Sequence, residues 1–307
     1  MYVLKGHLIN MKSLPKRNKY YAHATGGLGD HFTQYFGKHI GHPDLSYITA
    51  MKKHDPNCII KLISHTAIPI AIKNFFRFHP LIDVIKTLPW RNPTDNKCSS
   101  VEEHNEAGKG FVKITTAAKQ LKLKREKQLD IYTTKEDDRR IKEVTDQGKF
   151  VLLHPFSTDI GRISLSKKYY KILVQEIIDN FGCNVVIVGR SHKKQRTHIT
   201  IKRQEIFDFD GDNVINLVNK SNIRVSAKLA FHSECVVANN SIYNCLLSGG
   251  TIPLILLRPR KGSMFNMKRL FWTTDHVRAI DTSVGHDIAV RQIIKDLNCR
   301  IFKQNNK

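Results

Sequence analysis

Two successive α/β lobes, each built on a parallel sheet, are what this 307-residue sequence predicts, and three observations predict them. Strand-length apolar runs alternate with helix-length segments, the pattern that parallel sheets with right-handed crossovers produce. The alternation restarts at Phe150, just after Gly148 and Lys149 end a charged helical segment. Residues 231–259, FHSECVVANNSIYNCLLSGGTIPLILLRP, read as strand, polar turn, short helix, strand, both strands being apolar throughout as strands buried on two faces are.

In chain order, residues 1–19 are basic and alternate poorly, which reads as a hairpin or arm ahead of the fold. YYAHAT at 20–25 is the first strand. It runs into Gly26, Gly27, Leu28, Gly29 and Asp30, a Gly-rich turn whose free N–H groups can face a ligand, and a helix is expected over 31–40. The turn is not GxGxxG and lacks the acidic residue expected on a following strand, which disfavours a nicotinamide cofactor. Residues 43–48 and 58–63 carry the next strand signals, 67–78 a helix, and 82–85 a short strand after the turn at His79 and Pro80. Residues 92–100 form a polar loop. The basic stretch at 117–127, AAKQLKLKREK, is a helix face or a polyanion-facing patch.

A charged helix over 135–147 precedes the expected boundary, which divides the chain into residues 1–148 and 149–307. Residues 150–153 begin the second lobe, followed by His154, Pro155, Phe156, Ser157 and Thr158. An amphipathic helix spans 167–181 with Tyr170, Leu173, Val174, Ile177 and Ile178 on one side. Strands follow at 184–188, which opens into Gly189 and Arg190, and at 214–217. A helix at 225–231 leads into the 231–259 stretch, and a last helix is expected over 287–297. Asn239, Asn240 and Ser241, at the end of a parallel strand and the start of a helix, either cap that helix or bind an anion such as a diphosphate.

Fifty Lys and Arg against 27 Asp and Glu give a net charge of +23, and the excess is shared, +10 over residues 1–148 and +13 over residues 149–307. A polyanion bound across a surface to which both lobes contribute accounts for this, as does solubility or weak attraction to a membrane surface. Six scattered cysteines show no paired spacing, and no apolar stretch reaches the ~18 residues of a membrane span. Neither a signal peptide nor a His/Cys metal motif is evident. The chain is therefore expected to be cytoplasmic, with no metal.

The motif order GGLGDHFTQYFGKHIGHPDLSYI, FFRFHPLIDVIKTL, VLLHPFSTDIGRISLSKKYYKILVQEI, VVIVGRS and NLVNKSNIRVSAKLAFHSECVVANNS, then GGTIPLILL, resembles glycosyltransferase family 9, the heptosyltransferase-like enzymes, over residues 20–259. The resemblance implies a GT-B fold, two Rossmann-like domains facing across a cleft, the first on the acceptor side and the second binding a nucleotide-diphospho-sugar. It implies an inverting, metal-independent transfer with no cofactor. It puts the acceptor-activating carboxylate at Asp30 in the loop of Gly26, Gly27 and Gly29, although Asp30 could equally cap the helix that follows. It places donor contacts at Ser157, Thr158, Arg162, Lys167, Gly189, Arg190, Asn239, Asn240 and Ser241, with Arg162 or Lys167 neutralising the leaving diphosphate. Where the family reads Asp-Ser/Thr-Gly and then His, this chain has Asn240, Ser241, Ile242 and Cys245, which implies a sugar other than heptose. With the charge, the reading leads to sugar transfer onto hydroxymethylated bases of DNA, as in virus-encoded enzymes acting in a host cytoplasm. Transfer to lipopolysaccharide core or another phosphorylated glycan, and a decayed scaffold that binds nucleic acid, are the alternatives.

Overall fold

A computed structural model describes residues 17–25, 43–66, 69–89, 105–124, 131–156, 165–190, 209–239, 242–247, 252–258 and 276–304. Two wholly parallel sheets organise them. The first contains β1 (Lys19–Thr25), β2 (Ile59–Thr66), β3 (Val84–Pro89) and β4 (Phe111–Lys113) in the order β3-β2-β1-β4. The second contains β5 (Phe150–His154), β6 (Asn184–Ile187), β7 (Val214–Asn216), β8 (Cys235–Asn239), β9 (Leu254–Arg258) and β10 (Val277–Asp281) in the order β10-β9-β8-β5-β6-β7. Central strands are buried on both faces: every residue of β8, and Phe150 to Leu153 of β5, is closed to solvent. That burial is why these strands are continuous apolar runs rather than alternating ones.

The helices are α1 (Ile48–His54), α2 (Pro69–Phe76), α3 (Ile114–Gln120), α4 (Lys135–Thr145), α5 (Lys167–Phe181), α6 (Ile223–Ala230), α7 (Ile242–Leu246) and α8 (His286–Gln304). Their ends have local causes. At α4, Thr134 accepts from the Asp137 N–H at 3.2 Å while Asp137 accepts from the Thr134 N–H at 3.0 Å, a reciprocal capping box. Helix α5 stops at Gly182, whose φ of +58° is cheap only for glycine. Asn222 caps α6 by accepting from the N–H groups of Arg224 and Val225 at 2.9 and 3.1 Å.

Three features depart from expectation. Residues 43–48 form no strand; they make a 3-10 turn, Pro43–Tyr47, that runs into α1. Leu45, Ile48 and Met51 recur at helical spacing and are buried together, and the Asp44 carboxylate accepts the His23 N–H at 2.8 Å, fixing the turn against β1. Strand β4 is three residues long, and β10 follows a stretch without a recognised strand signal, so neither stood out in the sequence. The basic stretch from residue 117 begins inside α3, with Ala117 and Ala118 buried against the core.

One arginine joins the two sheets. From the first turn of α6, buried Arg224 donates through Nε to Asp137 Oδ2 of α4 at 2.8 Å and through a terminal nitrogen to the Asn74 carbonyl of α2, and it lies 5.5 Å from the Phe78 ring. Asn222 donates to the other Asp137 oxygen at 2.6 Å. Around this junction a single apolar cluster includes Ile72 and Phe76 beside the first sheet and Val225 and Leu229 beside the second. Burial pushes the Asp137 carboxyl up, but the hydrogen bonds from Arg224, Asn222 and the Thr134 N–H outweigh it and hold the group down at about 2.

Buried thiols are unreactive: burial pushes Cys58 up to about 11 and Cys235 up to about 12. Among the described residues no helix is long and apolar enough to cross a membrane.

Arg224→Met should lower unfolding stability by about 3 kcal/mol, because it strands a buried carboxylate. The pH dependence gives a second readout. Asp137 has a folded value below its ordinary 3.8, so its contribution is present above about pH 4 and is lost as pH falls toward 2. Urea titrations at pH 7, 4 and 2.5 should show that acid loss in the wild type and less of it in the variant; a change under about 1 kcal/mol at pH 7 would show that Arg224 does not join the lobes energetically.

Candidate functional site

In an open parallel sheet, ligands bind beyond the carboxyl ends of the strands, where the strand order reverses and adjacent loops diverge. In the second sheet the chain runs β5 to β6 to β7 to one side and β8 to β9 to β10 to the other, so the reversal lies between β5 and β8. In the first sheet it lies between β1 and β4.

At the β5–β8 reversal, β5 ends in His154 opposite Ala238 of β8. Asn239, the last residue of β8, is fully buried. Its amide nitrogen donates to the Pro155 carbonyl at 2.7 Å, and its oxygen accepts from the Tyr170 hydroxyl at 3.1 Å. One side chain thereby holds the turn leaving β5, the end of β8 and the first turn of α5. Burial pushes the Tyr170 hydroxyl far up, so it remains a proton donor. Gly189 follows β6 with φ +129°, and a Cβ there would stand 2.3 Å from the Phe156 ring, so only glycine fits. Phe156 and Tyr243 flank His154 with ring centroids 6.1 and 4.8 Å away.

Of the residues expected at the donor site, Lys167, Gly189, Arg190 and Asn239 are described. Lys167 opens α5, whose N-cap Ser166 makes no side-chain cap bond and whose first turn carries no acidic residue. Lys167 and Lys168 in a first turn without an acidic residue favour an anion. Arg190 is exposed, beside the end of β6. Asn239 was expected to touch the donor; it is instead closed to solvent, and its observed bonds go to the fold. Gly26, Gly27, Gly29, Asp30, Ser157, Thr158, Arg162, Asn240 and Ser241 lie outside the described residues. Several continue directly from described ends: Gly26 follows β1, Ser157 follows Phe156 and Asn240 follows β8. His154, Phe156, Tyr170 and Tyr243 are not among the site residues expected from the sequence. His154 and Phe156 were signalled only by position at the end of β5, whereas Tyr170 and Tyr243 lie in the first turns of α5 and α7.

Near the first sheet's reversal, His23 of β1, Asp44 of the Pro43–Tyr47 turn, Ser64, His65 and Thr66 of β2, and Thr115 of α3 are buried polar residues. Asp44 accepts from the His23 N–H on β1. Burial pushes its carboxyl up, against the opposing pull of Lys113, the His23 N–H and Thr115. The His23 and His65 rings meet edge to face at 5.2 Å. Among the described residues no group of three His, Cys, Asp or Glu is placed to hold a metal ion.

No protein-family model matches the chain, and no curated protein matches it in sequence. Solved structures do match in fold. The ADP-heptose lipopolysaccharide heptosyltransferase II of E. coli superposes with a TM-score of 0.55 at 11% identity, over 94% of this chain and 99% of its own. A family 9 glycosyl transferase from Veillonella parvula DSM 2008 gives 0.56 at 11% identity over the same shares. E. coli heptosyltransferase WaaC with ADP gives 0.55 at 12% identity, over 91% of this chain and 99% of its own. The chain thus has the expected α/β architecture of GT-B type, two parallel sheets with flanking helices.

Tyr170→Phe removes one hydroxyl from a packed helix and leaves the Asn239 oxygen buried without that donor. It should cost about 1–2 kcal/mol in thermal or urea unfolding; no loss would show that the hydroxyl does not anchor the reversal point.

Proposed function

We propose that this protein is a glycosyltransferase. It would take a sugar from a nucleotide-diphospho-sugar at the carboxyl ends of the second sheet and pass it to a phosphorylated glycan of the lipopolysaccharide-core kind. The observation that carries this reading is the β5–β8 reversal, with its rigid Asn239 anchor, in a chain that matches heptosyltransferase structures almost end to end. One of those structures contains ADP.

In this reading the acceptor hydroxyl attacks the anomeric carbon of the donor sugar and gives its proton to Asp30. The bond from that carbon to the diphosphate oxygen breaks, and the oxygen leaves with both electrons, so configuration inverts. Arg162 and Lys167 would offset the charge that grows on the diphosphate, and hydroxyls of Ser157, Thr158 and Ser241 would bond its oxygens. The first turn of α5 supports the same assignment, since Lys167, Lys168 and the positive end of the helix dipole favour an anion. Such a mechanism requires no metal. The replacement of the family's acidic and His positions by Asn240 and Cys245 supports a sugar other than heptose.

A second acceptor, hydroxymethylated DNA, is favoured by one observation: the +23 charge is divided between both halves of the chain. The same charge suits a scaffold that binds nucleic acid without turnover.

A panel of nucleotide sugars incubated with phosphorylated glycans and with hydroxymethylated DNA separates these readings by mass of the products. Transfer to a glycan is expected, and Asp30→Asn should reduce kcat by about 100-fold or more while nucleotide affinity changes little. Sugar found on DNA would move the acceptor to the second reading. Absence of binding to any nucleoside diphosphate, with DNA binding retained, would overturn the transferase.

A further inference from the structure

His154 is the last residue of the central strand β5, at the point where the strand order reverses. Strand alternation places its side chain on the same sheet face as Phe150 and Leu152. Tyr243 and Phe156 flank the ring, and its Cδ2 edge stands 3.2 Å from where a Gly189 side chain would begin. The residue as a whole is half-buried, and its Nδ1 is closed to solvent and makes no hydrogen bond among the described residues. Burial pushes the imidazole down to about 3, so it is uncharged at neutral pH.

A histidine here is poorly explained by packing alone. The setting is aromatic, an apolar ring would fill it without leaving a polar atom unmatched, and buried polar atoms ordinarily have partners. An uncharged imidazole also competes poorly for phosphate, which Lys and Arg bind through charge. What it offers is one donor and one acceptor for neutral groups.

We propose that His154 is a nucleoside-contacting residue of the donor crevice, its imidazole bonding a hydroxyl or base edge of the nucleoside while other groups hold the phosphates. This rests on the glycosyltransferase reading and adds a specificity residue to the same site.

Calorimetry on the full chain tests it, with ADP, GDP, UDP, CDP and inorganic pyrophosphate as probes. Wild type should bind at least one nucleoside diphosphate. His154→Phe keeps a ring and removes both nitrogens; it should weaken that nucleotide about tenfold and leave pyrophosphate within about twofold. His154→Asn, which restores a short polar group, should recover part of the loss. If His154→Phe does not fold, His154→Leu gives the same comparison. Equal affinity of the wild type and the apolar variant for the nucleotide overturns the proposal, and so does an equal loss for nucleotide and pyrophosphate. A wild type that binds no nucleoside diphosphate would instead remove the glycosyltransferase reading, and His154's role with it.

Discussion

Arg224 spans three elements that belong to different parts of the chain: its own helix α6 beside the second sheet, α4 through Asp137, and α2 beside the first sheet through the Asn74 carbonyl. Burying a guanidinium and a carboxylate is expensive unless each finds its full set of partners. Here Asp137 gains Arg224, Asn222 and the Thr134 N–H, while Arg224 also lies against Phe78. The residue that completes the capping box of α4 is therefore the one that fixes the contact between lobes. A local helix signal and a long-range junction use the same carboxylate.

With the lobes joined, strand order sets where adjacent loops diverge. Each sheet reverses direction once among its described strands, between β1 and β4 and between β5 and β8. Asp44 accepts an N–H from β1 beyond the last residue paired with β4, and Asn239 ties β8 to Pro155 and to α5. Buried polar side chains thus do at both reversals what ladder hydrogen bonds do elsewhere. They hold backbone that must part from its neighbour, leaving the strand-end turns for ligand contact.

Most of this framework was legible in the sequence because the strands of a parallel sheet are apolar runs and its helices are amphipathic. Residues 167–181 were read as a helix with the correct buried face, and β1, β5 and β8 were placed within a residue or two. The exceptions have physical reasons. Leu45 and Tyr47 alternate over too short a span to show that Leu45, Ile48 and Met51 follow a helical period. Strand β4 is too short to carry any pattern. The site was less legible than the fold. Asn239 and Gly189 were recognised by residue type, but type alone did not show that one is a buried strut and the other makes room for Phe156. His154 passed as the polar end of a strand, since only the packed structure sets it between Tyr243 and Phe156.

In the proposed function a nucleotide donor binds at the reversal between β5 and β8. A crystal structure of the chain grown with a nucleoside diphosphate tests it most directly. The diphosphate should lie beside the start of α5 and the nucleoside against the ends of β5, β6 and β8. A nucleotide bound elsewhere, with Lys167, His154 and Gly189 untouched, would contradict it.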